Sequence, residues 1–200
     1  MIKIIFATSN ANKISEIKEI INIPNIDIVS MEEEGIKIDI EESGSTYEEN
    51  ALIKARAIAQ LRPNEIIMAE DSGLEIDYLH GEPGLYSARY MGHDTPYDKK
   101  NKAILDLLKG VERSKRTAQY VCSIVAILPD RKELSAMGIL KGEIGEREKG
   151  VNGFGYDPIF FLPQRGCYMS ELTNEEKNMI SHRGKALREI INKLKAINVL

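Results

Sequence analysis

The sequence predicts an α/β protein built on a mixed sheet, and three observations carry that prediction. Apolar, β-branched runs alternate with stretches of helical spacing through the first half of the chain. A long hairpin pattern rich in Val, Ile and Tyr occupies the middle, and an amphipathic helix pattern closes the C-terminus. Strand–helix alternation favours parallel pairing while a hairpin requires antiparallel pairing, so the sheet has to hold both.

In order, "IKIIFAT" from Ile2 to Thr8 predicts a strand. "SNANKISEIKEII" then changes to helical spacing, with Ile14, Ile17, Ile20 and Ile21 on one face. "NIDIVSM" reads as a second strand and "EEEGIKIDIEESGS" as an acidic loop. "TYEENALIKARAIAQL" opens with a Thr46-x-x-Glu49 capping box and sets Ala51, Leu52, Ala55, Ile58 and Ala59 on one stripe, predicting a helix. "EIIMAEDSGLEIDYL" predicts a strand broken at Ser72-Gly73, and "HGEPGLYSARYMG" a Gly/Pro-punctuated loop. A third helix follows in "DTPYDKKNKAILDLLKG", with Thr95 as N-cap, Pro96 at the first helical position and Gly110 beyond the end. "RTAQYVCSIVAILPDRKELSAMGILKGEIGE" predicts a hairpin turning at Pro129-Asp130. "GVNGFGYDPIFFLP" is a Gly-rich loop feeding a short strand. "SHRGKALREIINKL" is a helix with Ser181 as N-cap and Leu187, Ile190, Ile191 and Leu194 inward.

Two hundred residues with 42% hydrophobic content suit one domain, or two lobes sharing a core. A net charge of −4 argues against a surface that coats nucleic acid. Cys122 and Cys167 stand far apart without CxxC or Cys/His ligand spacing, so neither zinc nor a disulfide framework is expected. The apolar start is too short for a signal peptide or a membrane span, and a cytoplasmic location without membrane attachment is expected.

Four segments could carry chemistry. In "ATSNANK", Ser9, Asn10 and Lys13 fall on a helix start, where backbone N–H groups, the dipole and an ammonium suit phosphate; without a GxxxxGK[ST] pattern, a plain capped helix is the competing reading. In "EDSG" and "IEESG", Asp71 and Glu41 could share a divalent cation such as Mg²⁺, with Glu42 an alternative to Glu41, or they could be a strand-end turn and a solvated loop. In "GFGYDPIFF", the glycines around Phe154 allow close backbone approach while Phe154 and Tyr156 could stack on a planar ring; core packing is the commoner use of such aromatics. In "EEKNMISHRGKAL", Lys177, His182 and Arg183 cluster near a helix start, where the dipole disfavours cations; that conflict points to a functional reason, such as donation to a keto purine.

Taken in order, "FATSNANK", "EESGSTYEENALIKA", "AEDSGLEID", "GEPGLYSARY", "NGFGYDPIFF" and "ELTNEEKNMISHRGKAL" resemble the inosine triphosphate pyrophosphatase family, the XTP/dITP diphosphatases, nearly end to end. The family's pattern more often has Gly at the position of Ser9 and a second Asp at that of Glu70. The resemblance implies a single domain over residues 1–200, an elongated twisted mixed sheet flanked by helices with a cleft between two lobes, and a homodimer. It implies Mg²⁺-dependent hydrolysis of ITP, dITP and XTP to the monophosphate and pyrophosphate. By resemblance Thr8, Ser9, Asn10, Lys13 and Lys54 would hold the triphosphate. Asp71 would bind metal and serve as the base or water-orienting group, with Glu70 and Glu41 helping, and Ser72 would touch substrate. Phe154 would stack on the base with Gly155, Tyr156 and Asp157 completing the loop, and Lys177, His182 and Arg183 would read the 6-keto group. A Maf-type nucleotide pyrophosphatase and a nucleotide sensor without turnover are the competing readings.

Overall fold

The computed structural model describes residues 1–200. Seven strands form one sheet: β1 (Ile2–Phe6), β2 (Ile26–Ser30), β3 (Ile66–Ile76), β4 (Thr117–Ile127), β5 (Glu133–Ile144), β6 (Phe160–Leu162) and β7 (Cys167–Tyr168), in the order β2-β1-β3-β4-β5-β6-β7. The helices are α1 (Ala11–Ile20), α2 (Tyr47–Leu61), α3 (Tyr97–Leu107), α4 (Asn174–Ile180) and α5 (His182–Ala196). β1 pairs in parallel with β2 and β3, whereas β5, β6 and β7 pair antiparallel, which makes the sheet mixed as predicted.

The chain divides into two compact units, Met1–Asp71 with Cys122–Gly138 and His182–Leu200, and Ser72–Val121 with Ile139–Ser181. In the first unit, strand alternation sorts side chains into two layers. Ile4, Phe6, Ile66 and Met68 face Ile17 of α1 and Leu187, Ile190 and Leu194 of α5; Ile5, Ala7, Ile67 and Ala69 face Ala51, Ala55 and Ile58 of α2. The second unit has its own core of Leu74, Ile76, Ile104, Leu108, Tyr120, Ile159 and Phe160, among others.

Most predicted elements are present, with four local differences. β3 runs through Ser72-Gly73 without a break, and Gly73 is not among the positive-φ glycines, so it continues as ordinary backbone. Pro96 rather than Thr95 occupies the N-cap of α3, because the Thr95 hydroxyl donates to the Met91 carbonyl at 2.8 Å instead of capping. Only half of the Thr46/Glu49 box forms: Thr46 Oγ1 accepts from the Glu49 amide at 3.1 Å, while the Glu49 carboxylate accepts from the Ser45 amide and hydroxyl. On α1, Ile17 and Ile21 are buried whereas Ile14 and Ile20 pack at the margin. No helix is long and apolar enough to cross a membrane. Cys122 and Cys167 are free thiols.

Candidate active site

β3 carries its alternation one step past the apolar core. Met68 faces the α1/α5 layer and Ala69 faces α2, so Glu70 falls on the first side and Asp71 on the second. This places the adjacent acids on opposite faces of the sheet, each among different cations.

On the α1/α5 face, Glu70 is buried, and Arg183 of α5 binds it with two parallel contacts, Nε to Oε2 at 2.8 Å and Nη2 to Oε1 at 3.0 Å. Arg183 Nη1 also donates to Glu16 of α1 at 2.5 Å, and Lys13 Nζ lies 3.0 Å from Glu70 Oε1. The Cys122 thiol donates to Glu70 Oε2 at 3.6 Å. Burial opposes ionisation of Glu70, but the charges of Arg183 and Lys13 outweigh it and hold the carboxyl well below the usual range. Burial likewise opposes charge on Lys13 and Arg183, and Glu70 reverses it, raising both. The cationic residue at the start of α5 is thus matched by two carboxylates, which answers the dipole conflict seen in the sequence. Three of the five N–H donors of Arg183 are committed to carboxylates.

On the α2 face, Asp71 Oδ2 accepts from Asn50 Nδ2 at 2.9 Å, and Lys54 Nζ stands 3.9 Å from Asp71 Oδ1 and 2.5 Å from Glu42 Oε1. Asn50 and Lys54 are four apart on α2, so one helical face presents both. Burial raises the Asp71 carboxyl above its ordinary value, the Lys54 charge offsetting only part of this and Glu42 adding to it. Glu42, half-buried, is the acid of the "EESG" loop brought to Asp71 through Lys54, whereas Glu41 is exposed. No group of three His, Cys, Asp or Glu side chains is close enough to enclose a metal ion. The donor set of Asp71 and Glu42 nevertheless fits Mg²⁺, which takes one or two carboxylates and completes its shell with water and phosphate. The ammonium of Lys54 shows that a cation is accommodated between them.

The turn between β1 and α1 holds Thr8, Ser9 and Asn10. Asn10 is the N-cap: its Oδ1 accepts from the Asn12 and Lys13 amides at 3.0 and 3.2 Å, and Thr8 Oγ1 accepts from the Asn10 amide at 3.2 Å. Two of the amides predicted to be open to phosphate are therefore capped from within the turn. Ser9 and Asn10 are exposed, and Thr8 is half-buried.

The second unit holds Ser72, the loop Phe154–Asp157 and Lys177. Asp157 organises the loop: its carboxylate accepts from the Phe154 amide at 2.9 Å, from Lys177 Nζ at 2.6 Å and from the Tyr120 hydroxyl at 3.2 Å. The Lys177 ammonium lies 4.5 Å from the centre of the Phe154 ring. Tyr156 is buried and its hydroxyl donates to the Ser87 carbonyl at 2.8 Å, so it is a packing residue while Phe154 is the more accessible ring. Gly153, predicted to admit a ligand, instead makes room within the loop. Its φ is +73°, and a Cβ there would stand 2.3 Å from Asp157 Oδ2.

The Ham1 family model matches residues 4–193. The chain belongs to the Ham1 family. It is 46% identical over 202 residues to a dITP/XTP pyrophosphatase of Clostridium perfringens, covering 98% of this chain and 99% of that one. A dITP/XTP pyrophosphatase of Bacillus subtilis is 43% identical over 192 residues, 96% of each chain. Among solved structures, the Ham1 protein of Staphylococcus aureus gives a TM-score of 0.86 at 38% identity over 98% of this chain and 99% of that one. A HAM1 protein from Coxiella burnetii gives 0.87 at 37% identity over 98% and 100% of the two chains.

The structure also brings together residues that the sequence did not single out. Glu16 of α1 is buried against Arg183, and Asn50 of α2 holds Asp71. Gly138 of β5 is a third: a Cβ there would lie 2.0 Å from the His182 carbonyl oxygen and 2.7 Å from the Ala186 amide. Only a residue without Cβ lets the first turn of α5 seat where it presents buried His182 and Arg183. Gly138→Ala is expected to destabilise the protein by roughly 1–3 kcal/mol or more through overpacking, read as a lowered denaturation midpoint. An unchanged midpoint would show that α5 is not seated this tightly.

Proposed function

We propose that this chain hydrolyses dITP, ITP and XTP to the nucleoside monophosphate and pyrophosphate. The reading rests on the near-full-length relationship to two dITP/XTP pyrophosphatases, and the desolvated Asp71 among Asn50, Lys54 and Glu42 supplies a chemistry that suits it.

Attack at the α phosphorus needs an in-line water, a group that takes or directs its proton, and neutralisation of the leaving pyrophosphate. Asp71 takes the role of base or water-orienting group, positioned by Asn50. Asp71 and Glu42 would hold Mg²⁺, which when bound supplies charge neutralisation on the phosphates. Lys54 and Lys13 add positive charge, and Thr8, Ser9 and Asn10 bind the phosphate chain from the β1–α1 turn. Lys13 reaches substrate by leaving or sharing Glu70. Ser72, next to Asp71 in the chain, contacts the phosphates.

Selectivity falls to the base. Phe154 stacks on the purine, held by Gly155, Tyr156 and Asp157, and Lys177, His182 and Arg183 donate toward the 6-keto oxygen. Adenine presents a donor at that position, which would leave buried donors unpaired, and such mismatches discriminate by roughly 10⁴ or more. The proposal takes residues 1–200 as one pyrophosphatase domain that works as a homodimer, so light scattering should give about twice the 22.5 kDa chain mass.

The test is pyrophosphate release from dITP, XTP, ATP and dTTP, with Mg²⁺ and with chelator. Metal-dependent release confined to dITP and XTP is expected. Release chiefly from dTTP, or nucleotide binding with no release from any of the four, would overturn the proposal.

A further inference from the structure

The mechanism above leaves α3 unused, yet α3 grips the loop to which base stacking is assigned. Asn101 is 2% exposed, and its Nδ2 donates to the Gly155 carbonyl at 3.2 Å. One turn earlier, Tyr97 meets the Tyr156 ring edge-on at a centroid distance of 5.1 Å and lies against Gly155, where an added Cβ would be 3.6 Å from its ring. Spacing of four residues puts both on one helical face. The neighbouring Lys100 is 1% exposed, donates to the Ala88 carbonyl at 2.6 Å and stands 4.8 Å from the centre of the Tyr97 ring. Tyr156 is anchored to Ser87 in the same segment. Asp157 thus holds one side of the loop from within, and α3 holds the other from outside.

Asn101 is kept at a cost. Its Oδ1 is buried without a hydrogen-bond partner, a situation that a Leu of similar size would avoid. The hydrogen bond through Nδ2 is the one polar contact the side chain makes, and it is made to the loop.

We propose that Asn101, backed by Tyr97, is a positioning residue for base recognition, fixing the Gly155 carbonyl and through it the pitch of the Phe154 ring. The inference rests on the functional reading above, in which Phe154 stacks on the base. It acts only at the base end of the substrate, because the triphosphate groups are assigned to other residues.

The test compares wild type with Asn101→Asp, which replaces the donor by an acceptor of the same shape, and with Asn101→Ala. KM for ITP is expected to rise about fivefold to tenfold with kcat within about twofold, the scale of one neutral hydrogen bond. Inhibition by inorganic triphosphate, which has no base, is expected to stay unchanged. Amide hydrogen exchange over residues 153–157 is expected to quicken in both variants. An unchanged KM, or triphosphate inhibition weakening in step with KM, would overturn the role in base positioning. If wild type releases no pyrophosphate from ITP, the functional reading fails. The clamp is then judged by exchange alone, and unchanged exchange over 153–157 overturns it as well.

Discussion

Asp71→Asn is expected to lower pyrophosphate release by roughly 10²–10⁴-fold, the range attached to a positioned general base, while the protein stays folded. The carboxylate sits midway along β3 with Asn50 on one oxygen and Lys54 near the other. An asparagine keeps the shape and can still accept from Asn50, so the loss falls on proton handling and metal affinity and not on packing. Burial raises the Asp71 carboxyl above 3.8. The sign for stability follows directly: without metal, ionised Asp71 costs the native state stability at neutral pH, and the cost is relieved as pH falls through the raised folded value. A folded Asp71→Asn variant with normal turnover would remove Asp71 from the chemistry.

Arg183→Ala carries the largest expected effect on stability. Removing the guanidinium leaves buried Glu70 with Lys13 and the Cys122 thiol and Glu16 without this partner, and breaking a buried pair in this way costs roughly 3–5 kcal/mol. Glu70 is held below its ordinary 4.5 in the native state, so its stabilisation is fully present above 4.5 and is lost as pH falls through the lower folded value. The stability gap between wild type and Arg183→Ala should therefore narrow on acidification below 4.5. Urea denaturation at a series of pH values measures this, and a gap independent of pH would contradict the network. The same variant should reduce the preference for ITP over ATP. An unchanged ratio would leave Arg183 a structural residue only.

Much of this was legible in the sequence because period and punctuation are local. Strands β1 to β6, helices α1, α2, α3 and α5 and the hairpin turn follow from alternation, from 3.6-residue spacing and from Gly, Pro and Asn positions, whereas the two-residue β7 and the seven-residue α4 are too short to show a period and are not read from the sequence. The site was legible as segments, but the partners within it were not. Nothing local distinguishes Glu16 from Glu19, yet strand and helix packing buries the first and leaves the second at the surface. Glu70 and Asp71 read as one acidic pair; alternation within β3 separates them, and this could have been inferred from Met68 and Ala69. The choice between Glu41 and Glu42 depends on the path of an irregular loop, which periodicity does not encode. Gly138 gave no signal either, since its need arises from α5, which follows more than forty residues later.

The division of labour between the two adjacent acids is the central claim, and Glu70→Gln tests it most directly. The measurement is Mg²⁺ dependence of pyrophosphate release from XTP, read beside the denaturation midpoint of the same variant. The account predicts a lowered midpoint with the metal concentration for half-maximal rate unchanged, because Glu70 serves Arg183 and Lys13 on the α1/α5 face. A variant of wild-type stability that needs far more Mg²⁺ would contradict it and make Glu70 a metal ligand beside Asp71.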